Sequence, residues 1–211
     1  MLKELLPPPI AAVERFDDAE ITLFPEEEAV LGKAVEKRRR EFSTARWCAR
    51  EALNVLGLPP SPILPGPKRE PLWPTGIVGA ITHCTGYRAV ALARGTDFAT
   101  IGIDAEPHAP APDGVLKAIA VQTELDRMPK LEAIDPTVCW DRLLFSAKES
   151  VYKAWYPVAK RWLGFEDADI TLDPGGTFEA RILLPDAPVS GYSGRWIVRD
   201  GILLTAIAVP A

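Results

Sequence analysis

The sequence has few of the side chains that bind soft metals or build disulfide frameworks. It contains three cysteines, Cys48, Cys84 and Cys139, and two histidines, His83 and His108. The cysteines are too few and too far apart for a disulfide framework. No cluster of about four nitrogen and sulfur ligands is present to hold zinc. Any metal site in this chain is therefore predicted to bind a hard cation through oxygen atoms.

Long apolar runs are also missing, since no segment approaches the ~18 residues needed to cross a bilayer. The first nine residues carry an acidic side chain and three prolines, where a secretory signal needs an apolar core. We therefore expect a cytoplasmic protein with no membrane partner. Proline is abundant instead, at 21 of 211 residues, and a length near 200 suits one large domain or two small ones.

The charge is more informative in its distribution than in its sum. A net charge of −5 disfavours a general nucleic-acid binder, which is more often basic. Residues 33–94 nevertheless contain eleven Lys or Arg and four Glu. Such a basic stretch favours a small polyanionic ligand, because arginine matches the geometry of phosphate. A solvated basic helix face explains the same charges equally well.

Apolar periodicity predicts two long helices. The first covers residues 26–56, is strongest over Lys33–Leu56, and ends at Gly57, which two prolines follow. Arg38 projects onto its apolar side and would need a partner there. The second helix is predicted from Val138 to Tyr156.

Alternating and apolar segments predict the strands. Ile77–Cys84 and Tyr87–Arg94 form a hairpin with a short turn, and Thr100–Glu106 follows as a third strand. The C-terminal part is rich in strands and ends in a hairpin around Asp200-Gly201, a strong type I′ signal. Residues 1–25 are expected to be extended and interrupted by proline.

Each half of the chain thus offers a long helix and a short-turn hairpin. This repetition predicts an α+β fold of two similar halves, each a long helix packed on a small, mainly antiparallel sheet. We place the halves at residues 1–103 and 104–211, joined in one globular unit with the functional site at their junction.

The third strand sets two carboxylates side by side. Ile101 and Ile103 point toward a core, so Asp104 and Glu106 share the opposite face, ~7 Å apart along the strand. Two close carboxylates repel each other unless a cation lies between them. Mg²⁺ suits this arrangement, since it binds one or two carboxylates together with water and substrate phosphates. The alternative is an exposed strand end with two solvated acids.

The second helix carries Glu149 opposite its apolar face, with Lys153 one turn later. This spacing is also that of a routine surface ion pair. Phe145 and Tyr152 flank the same polar side, which favours a covered cleft. His83, in the first hairpin, is either a buried core residue or a phosphate contact.

Five segments in this order resemble the signatures of one enzyme family. They are Arg38–Arg50, Gly66–Pro71, Ile81–Cys84, Gly102–Glu106 and Phe145–Lys153, the last two about forty residues apart. Together they are similar to the 4′-phosphopantetheinyl transferases of the surfactin-synthetase-activating type, in the branch that resembles enterobactin synthetase component D.

The resemblance implies a monomeric, Mg²⁺-dependent enzyme that transfers the phosphopantetheine arm of coenzyme A to a serine of an apo acyl or peptidyl carrier protein. Adenosine 3′,5′-bisphosphate would be released, and no nucleic acid would be bound. By position, the resemblance assigns Mg²⁺ to Asp104, Glu106 and Glu149. It assigns coenzyme A to Arg38, Arg46, Gly66, Lys68, Thr82, His83, Lys153 and Trp162.

The chemistry of the transfer suggests roles for three of these residues. A serine hydroxyl needs a base at neutral pH, and Glu149 is the candidate general base. Lys153 and a cation held by Asp104 would stabilise the departing phosphate. Ala105 offers no side-chain oxygen where some relatives have an acid, so water or its carbonyl would complete the coordination. A Mg²⁺-dependent nuclease and a non-catalytic coenzyme A or nucleotide-binding module are the alternative functions.

Overall fold

The computed structural model describes residues 1–211. Its elements are α1 (Leu2–Leu5), β1 (Ala11–Arg15), α2 (Pro25–Leu31), α3 (Glu36–Val55), β2 (Leu64–Pro65), β3 (Pro71–Leu72), β4 (Ile77–Cys84), β5 (Tyr87–Arg94), β6 (Phe98–Pro107), α4 (Val115–Ile119), α5 (Gln122–Ile134), α6 (Trp140–Ala159), a 3₁₀ turn (Phe165–Asp167), β7 (Ala168–Asp173), β8 (Thr177–Ile182), β9 (Gly191–Arg199) and β10 (Ile202–Pro210). None of the helices is long and apolar enough to span a bilayer.

The strands form two main sheets in which every pairing is antiparallel. One sheet has the order β1-β5-β4 and the other the order β6-β10-β9-β8-β7, while β2 and β3 pair separately. Each main sheet is covered by one 20-residue helix, α3 or α6. The predicted α+β class, with a long helix on an antiparallel sheet in each half, is confirmed.

The two halves pack sheet against sheet, with the long helices outside. Leu53 of α3 lies against Leu92 in one buried cluster. Ala91 and Ile103 belong to a second cluster between the two sheets. The largest cluster lies between α6 and the outer face of the five-stranded sheet. The core is therefore a sequence of four layers, helix, sheet, sheet and helix.

Both predicted hairpins form. Asp200 and Gly201 have φ of 52° and 74°, which is the pair of left-handed conformations that a type I′ turn requires. The predicted border between residues 103 and 104 falls inside β6, which pairs along its length with β10. A division of the chain at that border stays a prediction.

Three sequence-based expectations need correction. The helix predicted over residues 26–56 is interrupted at Gly32, whose φ of 49° ends α2 before α3 begins. The first 25 residues are extended only in part: β1 is extended and pairs with β5, but Leu2–Leu5 form the short helix α1. Arg38 does not project onto the apolar side of α3: it is exposed, and its guanidinium lies 3.9 Å from Glu41.

Candidate active site

A cavity of about 620 Å³ lies between the two halves. Its walls are α3, the β2–β3 turn, β4, the start of β6 and one side of α6. Eight of the residues singled out in the sequence line it: Arg38, Arg46, Lys68, Thr82, His83, Asp104, Glu149 and Lys153. Three others, Gly66, Glu106 and Trp162, do not. The polar residues of both halves therefore meet in one space.

Asp104 lies at the centre of this space and is buried. Its Oδ1 accepts hydrogen bonds from Lys153 Nζ at 2.8 Å and from Thr82 Oγ1 at 3.3 Å. Thr82 Oγ1 also accepts the Ala105 N–H at 2.8 Å, which ties β4 to β6. Asp104 Oδ2 is buried and has no hydrogen-bond partner. A buried carboxylate oxygen without a donor is unfavourable, so this atom is a natural ligand for a cation.

Gly102, on β6, allows the backbone of α6 to approach the strand closely beside Asp104. A Cβ at this position would lie 2.0 Å from the Ser150 carbonyl oxygen and 2.9 Å from the Ala154 nitrogen. The helix backbone therefore rests directly on the β6 backbone, and only glycine leaves room for it. This contact places Lys153 within reach of Asp104.

Lys153 pairs with Asp104 across the helix–strand contact rather than with Glu149. The surface-pair interpretation of Glu149 and Lys153 is therefore wrong. Burial, together with the nearby charge of Asp104, raises the pKa of Glu149, while Lys153 opposes the shift.

Glu106 occupies the neighbouring position on the same strand face. Burial and the charge of Asp104 raise the pKa of Glu106, and its Oε2 accepts a hydrogen bond from Arg142 Nη1 at 3.0 Å. The three predicted metal-binding acids thus lie in one region. They do not close into a metal-binding group, and neither do any other three His, Cys, Asp or Glu side chains.

Arg46 is the buried arginine of α3. Its guanidinium donates to the Ile63 carbonyl at 3.1 and 2.8 Å and lies 3.7 Å from the centre of the Phe42 ring. Burial lowers the pKa of Arg46 to about 10. Arg46 therefore holds the chain before β2 as well as facing the cavity.

His83 opens onto the cavity and is reached by solvent. The surrounding protein still desolvates the ring and lowers its pKa. Arg38, Lys153 and Arg88 lower it further through their charges, and Glu41 opposes them. A neutral imidazole among cations is suited to gain a proton when an anion arrives.

A second cavity of about 180 Å³ adjoins the first. Glu149 and Tyr152 line both cavities. The second cavity is mainly apolar and is further lined by Trp162, Leu163, Gly164, Phe165, Ala168 and Lys148. The ring of Trp162 lies 5.1 Å from that of Tyr152. Trp162 therefore belongs to an apolar branch of the site rather than to its basic part.

The wall of the apolar branch is fixed by an ion pair that sequence reasoning missed. Lys148 Nζ lies 2.9 Å from Glu124 Oε2, and both side chains are almost fully buried. Lys148 also donates to the carbonyls of Phe165 and Ala168, at 2.6 and 2.8 Å. Glu124 accepts the Ile170 N–H at 2.6 Å. The only sequence signal was a lysine placed on the buried side of a helix.

Comparison with known proteins agrees with this geometry. Residues 26–93 match the 4′-phosphopantetheinyl transferase N-terminal domain, and residues 100–206 match the 4′-phosphopantetheinyl transferase superfamily. The chain is 52% identical over 201 residues to the 4′-phosphopantetheinyl transferase Svp of Streptomyces mobaraensis, covering 92% of this chain and 82% of that protein. It is 47% identical over 211 residues to PptT of Mycobacterium tuberculosis, covering 95% and 92%.

A more distant relative supports the predicted branch. The chain is 32% identical over 182 residues to enterobactin synthase component D of Salmonella typhimurium, covering 84% of this chain and 75% of that protein. Matches on both halves and these long alignments establish what kind of enzyme this is. The chain belongs to the 4′-phosphopantetheinyl transferase superfamily.

Proposed function

We propose that this chain transfers the phosphopantetheine arm of coenzyme A to a serine of an apo acyl or peptidyl carrier protein, releasing adenosine 3′,5′-bisphosphate. The junction of the two cavities carries the proposal. A basic cavity suits a nucleotide that bears phosphates, and an apolar branch suits an uncharged arm. Glu149 lines both spaces, while Asp104 and Lys153 line the basic cavity beside it, so the pyrophosphate would lie near these three residues.

The nucleotide end is assigned to the basic cavity. Arg38, Lys68 and His83 line it with exposed side chains that would contact phosphate oxygens. Arg46 adds positive charge to the cavity wall, although its guanidinium already donates a hydrogen bond to the Ile63 carbonyl. Thr82 acts through Asp104, because its hydroxyl is already shared between that carboxylate and the Ala105 amide.

The residues present fit a hard divalent cation. Asp104 Oδ2 is a buried oxygen without a hydrogen-bond partner, and burial together with the charge of Asp104 raises the pKa values of Glu106 and Glu149. A cation beside these three acids would oppose both effects, in addition to the charges that Lys153 and Arg142 already supply. We propose that Asp104, Glu106 and Glu149 hold Mg²⁺, with phosphate oxygens of the substrate completing its coordination. When bound, the cation would neutralise charge on the pyrophosphate.

Glu149 is the proposed general base. The serine oxygen of the carrier would form a bond to the phosphorus that bears the pantetheine arm, and the serine proton would pass to Glu149. The bond from that phosphorus to the bridging oxygen would break, and the nucleotide would leave with its electron pair. Lys153, fixed by Asp104 and the Ile103 carbonyl, would stabilise the negative charge on the departing phosphate.

We propose a cytoplasmic monomer whose partners are coenzyme A and carrier-protein domains. Its basic side chains gather around one cavity rather than along an extended track, and the net charge is −5. Both features disfavour a nuclease that must follow a nucleic-acid strand.

Mass spectrometry of an apo carrier domain tests the function directly. With coenzyme A and Mg²⁺, the carrier should gain the mass of one phosphopantetheine, and its Ser→Ala variant should gain none. Coenzyme A binding without a mass change would indicate a non-catalytic binding module. Nicking of plasmid DNA under the same conditions would instead favour the nuclease.

Coenzyme A binding is expected to take up protons through His83. The pKa of His83 is lowered in the free protein, and a bound phosphate would raise it by stabilising the imidazolium. The affinity for coenzyme A should therefore rise as the pH falls from above the pKa of His83 in the complex to below its pKa in the free protein. Calorimetry at pH 7 in two buffers of different ionisation enthalpy measures the uptake. His83→Asn should bind about tenfold more weakly and lose most of the uptake, and an unchanged uptake would contradict the assignment.

A further inference from the structure

The turn between β2 and β3 has an unusual internal support. The Gly66 N–H donates to the Glu70 carbonyl at 2.7 Å, and the Arg69 N–H donates to the Gly66 carbonyl at 2.9 Å. Arg69 adopts a left-handed conformation, with φ of 67°. The turn holds two basic side chains against the cavity, Lys68 and Arg69. Only two residues on each strand close it, so it needs stabilisation from within.

The Glu70 side chain supplies that support. Its Oε2 accepts the backbone N–H of Lys68 at 2.9 Å. The carboxylate folds back over Gly66, where a Cβ would lie 2.2 Å from Oε1 and 2.8 Å from Oε2. Gly66 therefore leaves the space in which the Glu70 carboxylate reaches the Lys68 amide. The two residues form a matched pair.

The charge of Glu70 argues against direct contact with the nucleotide. An acidic side chain in the wall of a cavity that takes phosphates would repel them. Its bond to the Lys68 amide gives it a different use, because it fixes the segment that carries Lys68 and Arg69.

We propose that Glu70 is a positioning residue for coenzyme A and that Gly66 is required to make room for it. The proposal rests on the proposed function, since it assumes that the basic cavity holds the nucleotide end. Glu70 acts only through the turn, so its loss should weaken coenzyme A binding and leave the chemical step unchanged.

Steady-state kinetics separates these effects. Glu70→Ala is expected to raise KM for coenzyme A about tenfold and to change kcat by less than twofold. Glu70→Gln keeps an acceptor for the Lys68 N–H and should restore most of the affinity. Glu36→Ala, at an exposed acid of α3, is the matched control and should behave as wild type. An unchanged KM in Glu70→Ala, or a fall in kcat alone, overturns the proposal.

A double-mutant cycle tests the pairing with Gly66. Gly66→Ala should raise KM because the new Cβ displaces the carboxylate. The double variant Gly66→Ala/Glu70→Ala should be no worse than Glu70→Ala alone, since the bond is already lost. Fully additive effects would show that the two positions act independently, and would overturn the pairing.

Direct binding distinguishes this proposal from the proposed function. If wild type binds coenzyme A in calorimetry and modifies the carrier while Glu70→Ala binds equally well, only the role of Glu70 fails. If wild type neither binds coenzyme A nor modifies a carrier, both proposals fail. Matching thermal unfolding curves for the variants and wild type exclude loss of the fold.

Discussion

Glu149→Gln is expected to keep the fold and coenzyme A binding but to lose transfer turnover by at least ~100-fold. Glutamine preserves the size and hydrogen-bonding capacity of the side chain and removes its ability to accept a proton. The position matters because Glu149 lines both cavities. The raised pKa of its buried carboxyl also brings it closer to the value that suits a base at neutral pH.

The measurement is the rate of mass gain on an apo carrier under saturating coenzyme A. Glu132→Gln, at an exposed acid of α5, controls for the loss of one negative charge and should retain full turnover. Calorimetry with coenzyme A checks that Glu149→Gln still binds. Wild-type turnover in this variant would remove Glu149 from the mechanism.

Lys148→Met is expected to lower the free energy of unfolding by about 3–5 kcal/mol, because it leaves the charge of Glu124 buried without a partner. The two side chains are 2% and 0% exposed, so water cannot replace the ammonium. Burial raises the pKa of Glu124 and lowers that of Lys148, while the charge of each partner opposes the shift of the other.

Urea unfolding of the variants measures this effect. Lys130→Met removes an exposed lysine from α5 and should change stability by less than about 0.5 kcal/mol. The double variant Lys148→Met/Glu124→Leu removes both charges and should regain part of the lost stability, since the Ile170 N–H and the carbonyls of Phe165 and Ala168 still lose their partners. A loss below about 1 kcal/mol for Lys148→Met would contradict the buried ion pair.

Local signals were sufficient for much of the fold. The apolar stripe of α6 and the turn at Asp200-Gly201 depend on residues close together in sequence, so periodicity and turn chemistry predicted them. Alternation along β6 likewise put Asp104 and Glu106 on one face, opposite Ile101 and Ile103, which the structure buries between the two sheets. The order of five short motifs then indicated the family.

Contacts between distant segments could not be predicted in this way. β1 has too few residues to stand out from a proline-rich segment, and only its pairing with β5 makes it a strand. Glu124 and Lys148 lie on different helices, and nothing in either local pattern selects the other. The periodicity of α3 likewise did not predict that Arg46 is the buried arginine, because its burial comes from the chain before β2.

The backbone contact between α6 and β6 at Gly102 has a consequence for engineering this enzyme to accept other coenzymes. Two backbones in direct contact set the spacing between Asp104 and Lys153, and the nucleotide-facing walls on α3 and the β2–β3 turn belong to separate elements. Substitutions in those walls that admit coenzyme analogues should therefore leave the spacing between Asp104 and Lys153 unchanged. A substitution at Gly102, by contrast, would change this spacing, since even one methyl group there would push α6 away from β6.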